Sequence, residues 1–169
     1  MSKKFYITTA IPYVNAKPHI GFALEAVQAD ALARYHRSLG EEVFFLTGTD
    51  ENSLKNVQAA EKEGISVKEL CDRNSAVFKE LKSALNLSFD YFIRTTEPRH
   101  FAGAQKLWLA CKREDIYKKK YQGFYCVGCE AFYLPKDLGT ACVRNIKPSP
   151  SLLKKKIIFL SFPITSLNC

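Results

Sequence analysis

The stretch Thr8–Phe22 limits the possible folds more than any other part of the chain. Lys3–Ile11 is rich in Phe, Tyr, Ile and Thr and nearly continuous in apolarity, as a buried parallel strand is. It breaks at Pro12 and Asn15, and a helical pattern opens at His19-Ile20-Gly21. A strand, a loop and a helix mouth bearing His and Gly make a candidate phosphate site. Free backbone N–H groups and the positive end of the helix dipole converge there. Gly21 has no Cβ and lets a ligand approach the backbone, and His19 can donate to a phosphate oxygen. The plainer alternative is an ordinary loop with a solvated His.

The spacing then predicts a helix over Ile20–Leu39, with Ile20, Leu24, Val27, Ala31 and Tyr35 as its buried stripe and Gly40 as its terminator. Glu42–Leu46 reads as a second strand, completing a βαβ unit. That strand runs into Thr47-Gly48-Thr49-Asp50-Glu51-Asn52. Ligands of open α/β sheets bind at the carboxyl ends of the strands, so this loop shares a crevice with His19. Asp50 can receive a ligand amine or a ribose hydroxyl; alternatively Thr49 or Asp50 simply caps the next helix.

Leu54–Glu63 reads as a helix closed by Gly64, and Ser66-x-x-Glu69 is a capping box opening another to about Leu85. Leu70, Val77, Leu81 and Leu85 form its stripe, beside Phe78 and a core thiol, Cys71. Phe89–Thr95 is a third strand, and Pro98 to about Arg113 a further helix. His36 and His100 read as surface residues. Ile116–Tyr121 and Phe124-Tyr125 bracket Gln122-Gly123, which reads as a hairpin turn. Cys126-Val127-Gly128-Cys129 then resembles half a zinc knuckle, with Cys142 at a suitable distance but no fourth ligand beside it.

Six cysteines and no recognisable leader suggest a reducing compartment, so a cytoplasmic location is expected. No apolar run approaches the ~20 residues that span a bilayer, so no membrane partner is expected. The net charge is +8, but Arg144, Lys147, Lys154, Lys155 and Lys156 face no acid in 139–169, so residues 1–138 carry 8 − 5 = +3. A solvated charge run, a basic RNA-binding arm beside a knuckle, and a tail of different origin all fit that distribution.

Several blocks, in order, resemble the amino-terminal part of bacterial methionyl-tRNA synthetases, a class I aminoacyl-tRNA synthetase family. They are Ala10-Ile11-Pro12-Tyr13, Pro18-His19-Ile20-Gly21, Phe44–Glu51 and Tyr125–Glu130, within residues 4–138. The resemblance implies an α/β fold: the first half of a Rossmann-like catalytic domain over 1–115 and the start of a connective-peptide zinc-knuckle insertion over 116–138. It implies ATP, with Mg2+, and methionine as substrates, methionyl-adenylate as intermediate and tRNA(Met) as acceptor. Pro12, Asn15, His19 and Gly21 would bind ATP. Ala10, Ile11 and Tyr13 would line the methionine side, and Asp50 would hold its ammonium group. Cys126 and Cys129 would bind Zn2+, and Cys142 is the weakest candidate.

Two departures matter. The family signature is His-x-Gly-His, and Phe22 stands at its last position. A phenyl ring cannot donate to a transferring phosphoryl group, and losing one such donor costs ~10²–10³ in rate. Residues 139–169 leave the resemblance. Read one base out of frame with suitable codons, Gly139–Asn145 becomes Asp-Gly-Leu-Cys-Pro-Glu-His, which supplies the missing Cys-x-x-His. The same shift turns Lys154–Ser166 into family-like sequence. A frameshifted tail without a selected fold is therefore expected, and with it doubtful zinc binding. The chain as written is expected to have little or no aminoacylation activity, retaining at most weak binding of ATP or methionine.

Overall fold

A computed structural model describes residues 3–126, 131–133 and 151–160, the backbone alone for 119–123 and 151–160. The chain forms two compact units, Met1–Gly103 and Ala104–Cys169.

In the first unit, β1 (Lys4–Thr8), α1 (Ile20–Ser38), β2 (Glu42–Thr49), α2 (Leu54–Glu63), α3 (Val67–Ala84) and β3 (Tyr91–Arg94) follow in order, and α4 (Pro98–Ala110) begins there. β1, β2 and β3 form a parallel sheet in that order. Lys4 pairs with Glu42, and Leu46 pairs with Tyr91. Gly48 sits where a Cβ would come 2.0 Å from the Ile93 carbonyl oxygen, so no larger residue fits this strand pair.

The helix ends follow capping chemistry. Ser53 and Ser66 accept from the N–H groups of Lys55 and Glu69, and Gly64 closes α2 in the left-handed conformation. Gly40, just past α1, has φ +76° and serves the same purpose.

The buried face of α1 differs from the expectation. Ile20, Leu24, Val27 and Tyr35 are exposed, Ile20 by 88%. Phe22, Ala26, Ala29 and Ala33 turn inward instead. Ala26, Ala29 and Ala33 pack with Phe45, Leu87 and Phe89, and Ile7, Val43, Leu81 and Phe92 complete that core. Small residues let the helix axis lie close to the sheet, which outweighs the larger apolar stripe. β1 also departs from a fully buried strand: its residues alternate exposed and half-buried. Tyr6 and Phe44 stack at 6.0 Å on the exposed side of the sheet.

Two other expectations change. His36 is not a plain surface residue. Its ring stacks on Phe5 at 3.5 Å, and its Nδ1 lies 2.6 Å from a Glu41 carboxylate oxygen. In α3 the buried set is Leu70, Cys71, Asn74, Ser75 and Phe78, and Leu85 is exposed. Cys71 is a core thiol, as expected, and burial pushes its pKa up.

In the second unit a short 3-10 turn leads into β4 (Ile116–Cys126), which pairs antiparallel with β5 (Ala131–Tyr133) and with β6 (Ser151–Leu160). The expected hairpin at Gln122-Gly123 does not form. β4 runs through both residues, which pair with Lys154 and Leu153. A strand with a full partner ladder satisfies its backbone without turning there. β6 lies inside the stretch expected to be out of frame.

Candidate active site

The carboxyl ends of β1, β2 and β3 lie at one edge of the sheet, and the residues expected to bind ATP and methionine follow them. Beyond β1 the chain returns to the sheet at Tyr13, which forms an isolated parallel bridge with Asp50. The Asp50 N–H donates to the Pro12 carbonyl at 2.9 Å. The first loop and the Asp50 loop are therefore hydrogen-bonded neighbours.

His19 is the N-cap of α1. Its Nδ1 accepts from the Gly21 N–H at 3.1 Å. An accepting Nδ1 carries no proton, so the neutral ring holds its proton on Nε2, available to donate outward. The same bond explains Gly21: a Cβ there would meet the His19 ring at 3.0 Å. Pro12, Tyr13, Asn15, His19 and Phe22 line one cavity of about 360 Å³, together with Lys17 and Lys55. The Lys55 ammonium lies 5.7 Å from the Tyr13 ring centre. Two lysines and an imidazole N–H suit a polyphosphate. Gly21 does not line this cavity; it makes room for the ring that does.

Phe22 reaches the cavity as part of the core. It is 8% exposed and meets Phe78 edge-on at 5.2 Å, beside Val14 and Cys71. It offers packing and no proton donor. Ala10 and Ile11 are exposed at the end of β1, and the Ala10 N–H donates to Glu25.

Asp50 Oδ1 accepts from the Asn52 N–H at 3.0 Å and from the Thr95 hydroxyl at 3.3 Å. Asn56, fully buried, holds the Asp50 carbonyl through Nδ2 at 3.3 Å. Next to it the Glu51 carboxylate is wholly buried in a fork from Arg94, at 2.6 Å and 3.0 Å. The Thr96 hydroxyl also donates to Glu51, and so does Thr49 at 3.2 Å. Burial alone would push the Glu51 carboxyl up; the Arg94 and Thr96 bonds outweigh it and hold its pKa below 4.5. Arg94, bonded to Glu51 and also to Asp72 at 2.6 Å, holds its proton more firmly than usual despite its burial.

Sequence reasoning missed Glu51, Arg94 and Thr95. The available signal was a polar Arg-Thr-Thr run ending the third parallel strand, at the edge where ligands bind.

Cys126, Cys129 and Cys142 are the expected zinc ligands. Cys126 is buried at the end of β4, while Cys129 and Cys142 lie outside the described residues. Among the described residues, no three His, Cys, Asp or Glu side chains gather to hold a metal. No helix among them is long and apolar enough to cross a membrane.

A family model described as tRNA synthetases class I (M) matches residues 5–148. The chain belongs to the methionyl class I tRNA synthetase family. It is 52% identical over 132 residues to a methionine–tRNA ligase of Mesorhizobium japonicum, and 55% over 130 residues to one of Rhizobium meliloti. Those alignments cover 78% and 76% of this chain but only 26% and 25% of the relatives, so this synthetase chain spans about a quarter of their length. The Mycobacterium tuberculosis methionyl-tRNA synthetase in complex with methionyl-adenylate superposes with a TM-score of 0.85 and 39% identity. That match covers 94% of this chain and 32% of the other. The expected Rossmann-like synthetase fold is thus present.

Proposed function

We propose that this chain carries the ATP and methionine crevice of a methionine–tRNA ligase, within a protein region that is not by itself an efficient ligase. The observation that carries this reading is the cavity that gathers Pro12, Tyr13, Asn15, His19 and Phe22, hydrogen-bonded through Pro12 to Asp50. In the mycobacterial relative, bound methionyl-adenylate joins a methionine to a nucleotide. Here His19 Nε2–H and the Lys17 and Lys55 ammonium groups would hold the ATP phosphates, which carry Mg2+ with them. Asp50 would hold the amino acid's ammonium group, with Tyr13 beside it.

Attack of the methionine carboxylate on the α-phosphate forms the adenylate and expels pyrophosphate. It requires alignment and donors for the phosphoryl oxygens rather than a protein nucleophile. Phe22 supplies no such donor. Transfer to tRNA(Met) belongs to the whole enzyme. We read residues 1–115 as the catalytic half-domain, 116–138 as the start of the zinc-knuckle insertion and 139–169 as out of frame, although the family model runs to residue 148, ten past 138.

Calorimetric titration with ATP and with methionine, paired with ATP–pyrophosphate exchange, tests the reading. The expected result is measurable binding with exchange at least ~10² below that of a full-length relative. Absence of heat with both ligands would overturn the binding assignment. Exchange at the relative's rate would overturn the assignment of Phe22.

A further inference from the structure

Thr95 has every hydrogen-bonding position of its hydroxyl filled by the Asp50 loop. A hydroxyl offers one proton and two lone pairs. The proton goes to Asp50 Oδ1 at 3.3 Å. The lone pairs accept from the Glu51 N–H at 2.8 Å and the Asn52 side-chain amide at 3.3 Å. Thr95 is 5% exposed, and its own N–H donates to the Thr49 carbonyl at 3.2 Å. Its neighbour Arg94 forks onto Glu51, the neighbour of Asp50. The ends of β2 and β3 are therefore fastened twice over, once by charge and once through this hydroxyl. Both donors to Asp50, Asn52 N–H and Thr95 Oγ1, address Oδ1. Among the described residues, none donates to Oδ2.

We propose that Thr95 is a positioning residue that fixes the Asp50 carboxylate so that Oδ2 meets the ammonium group of a bound α-amino acid. The inference rests on the reading of Asp50 given above. Thr95 touches no substrate. It acts by removing rotational freedom from the group that does, and a preset acceptor loses less on binding.

The test compares this chain with Thr95→Val, which keeps the shape and removes the proton and both lone pairs, and with Thr95→Ser, which restores them. Two readouts are taken by NMR. The first is the side-chain χ1 of Asp50 from three-bond couplings, with no ligand present. The second is the affinity for L-methionine against 4-(methylthio)butanoate, which lacks the amine.

The expected result is one χ1 rotamer in the parent and in T95S, and averaged couplings in T95V. The parent and T95S prefer the amine-bearing ligand, and T95V loses roughly tenfold of that preference. Should T95V not fold, Thr95→Cys, close in size with only a weak donor, is expected to give the same losses. A fixed rotamer and an intact preference in T95V or T95C would overturn the role of Thr95. A fixed rotamer in a parent chain that shows no preference for the amine would instead remove Asp50 as the ammonium holder, and the purpose assigned to Thr95 with it.

Discussion

His19 Nδ1 accepts the backbone N–H of Gly21 at 3.1 Å, so the two signature residues at the mouth of α1 are one device. Adding a methyl at Gly21 separates its two effects. Ala favours a helix over Gly by about 1 kcal/mol. The new Cβ would sit 3.0 Å from the His19 ring and push it off its cap. The gain in helix propensity and the loss of the His19 cap, each about 1 kcal/mol, oppose one another, so Gly21→Ala is expected to melt close to the parent while binding ATP roughly tenfold more weakly, for one lost contact to phosphate. Thermal denaturation and calorimetry on the same sample check both halves.

Breaking the Glu51–Arg94 pair should be far more damaging than losing a surface bridge. Arg94→Met leaves a carboxylate with a wholly buried side chain, and removing one partner of a buried pair costs about 3–5 kcal/mol. The double variant Glu51→Gln with Arg94→Met is expected to recover part of that loss, because no uncompensated charge remains. Urea denaturation of the two single variants and the double variant measures it.

Acid should weaken the fold through the same group. The folded pKa of Glu51 lies below its ordinary 4.5, and that of Asp30, held by Arg34 and Ser88 against the effect of its burial, lies below 3.8. A depressed carboxylate contributes stability that is present above the unfolded value and lost as pH falls through the folded one. Stability is expected to fall below about pH 5, more shallowly in Glu51→Gln. Melting temperatures across that range read the slope.

The two faces of α1 give a direct comparison. Leu24→Glu alters a residue 58% exposed and is expected to change stability by no more than about 0.5 kcal/mol. Ala33→Leu forces extra methylenes against a fully buried position and should cost about 1–3 kcal/mol. The reverse ranking would restore the stripe predicted from periodicity.

Phe22 and Phe78 meet edge-on at 5.2 Å, 77° between planes. A double-mutant cycle to Leu is expected to give about 0.5–1.5 kcal/mol of coupling. Coupling near zero would mean that Phe22 does not depend on this partner.

Local chemistry determined much of this protein. Pro12, Gly40, Gly64, Ser53 and Ser66 place the breaks and caps, because turn and cap preferences act within a few residues. The βαβ order and the polar loop at Asp50 are equally local, and they fix which ends of the strands form the crevice. Tertiary structure alone decided which face of α1 is buried. Two apolar faces compete on that helix, and the Ala26–Ala33 face wins by allowing close approach to Phe45. It also decided that β4 passes through Gln122-Gly123, because a partner ladder over ten residue pairs outweighs a turn-forming dipeptide. The Thr95–Asp50 bond and the Arg94–Glu51 fork join residues more than forty positions apart, so no periodicity reports them. They arise only when parallel pairing brings the ends of β2 and β3 side by side.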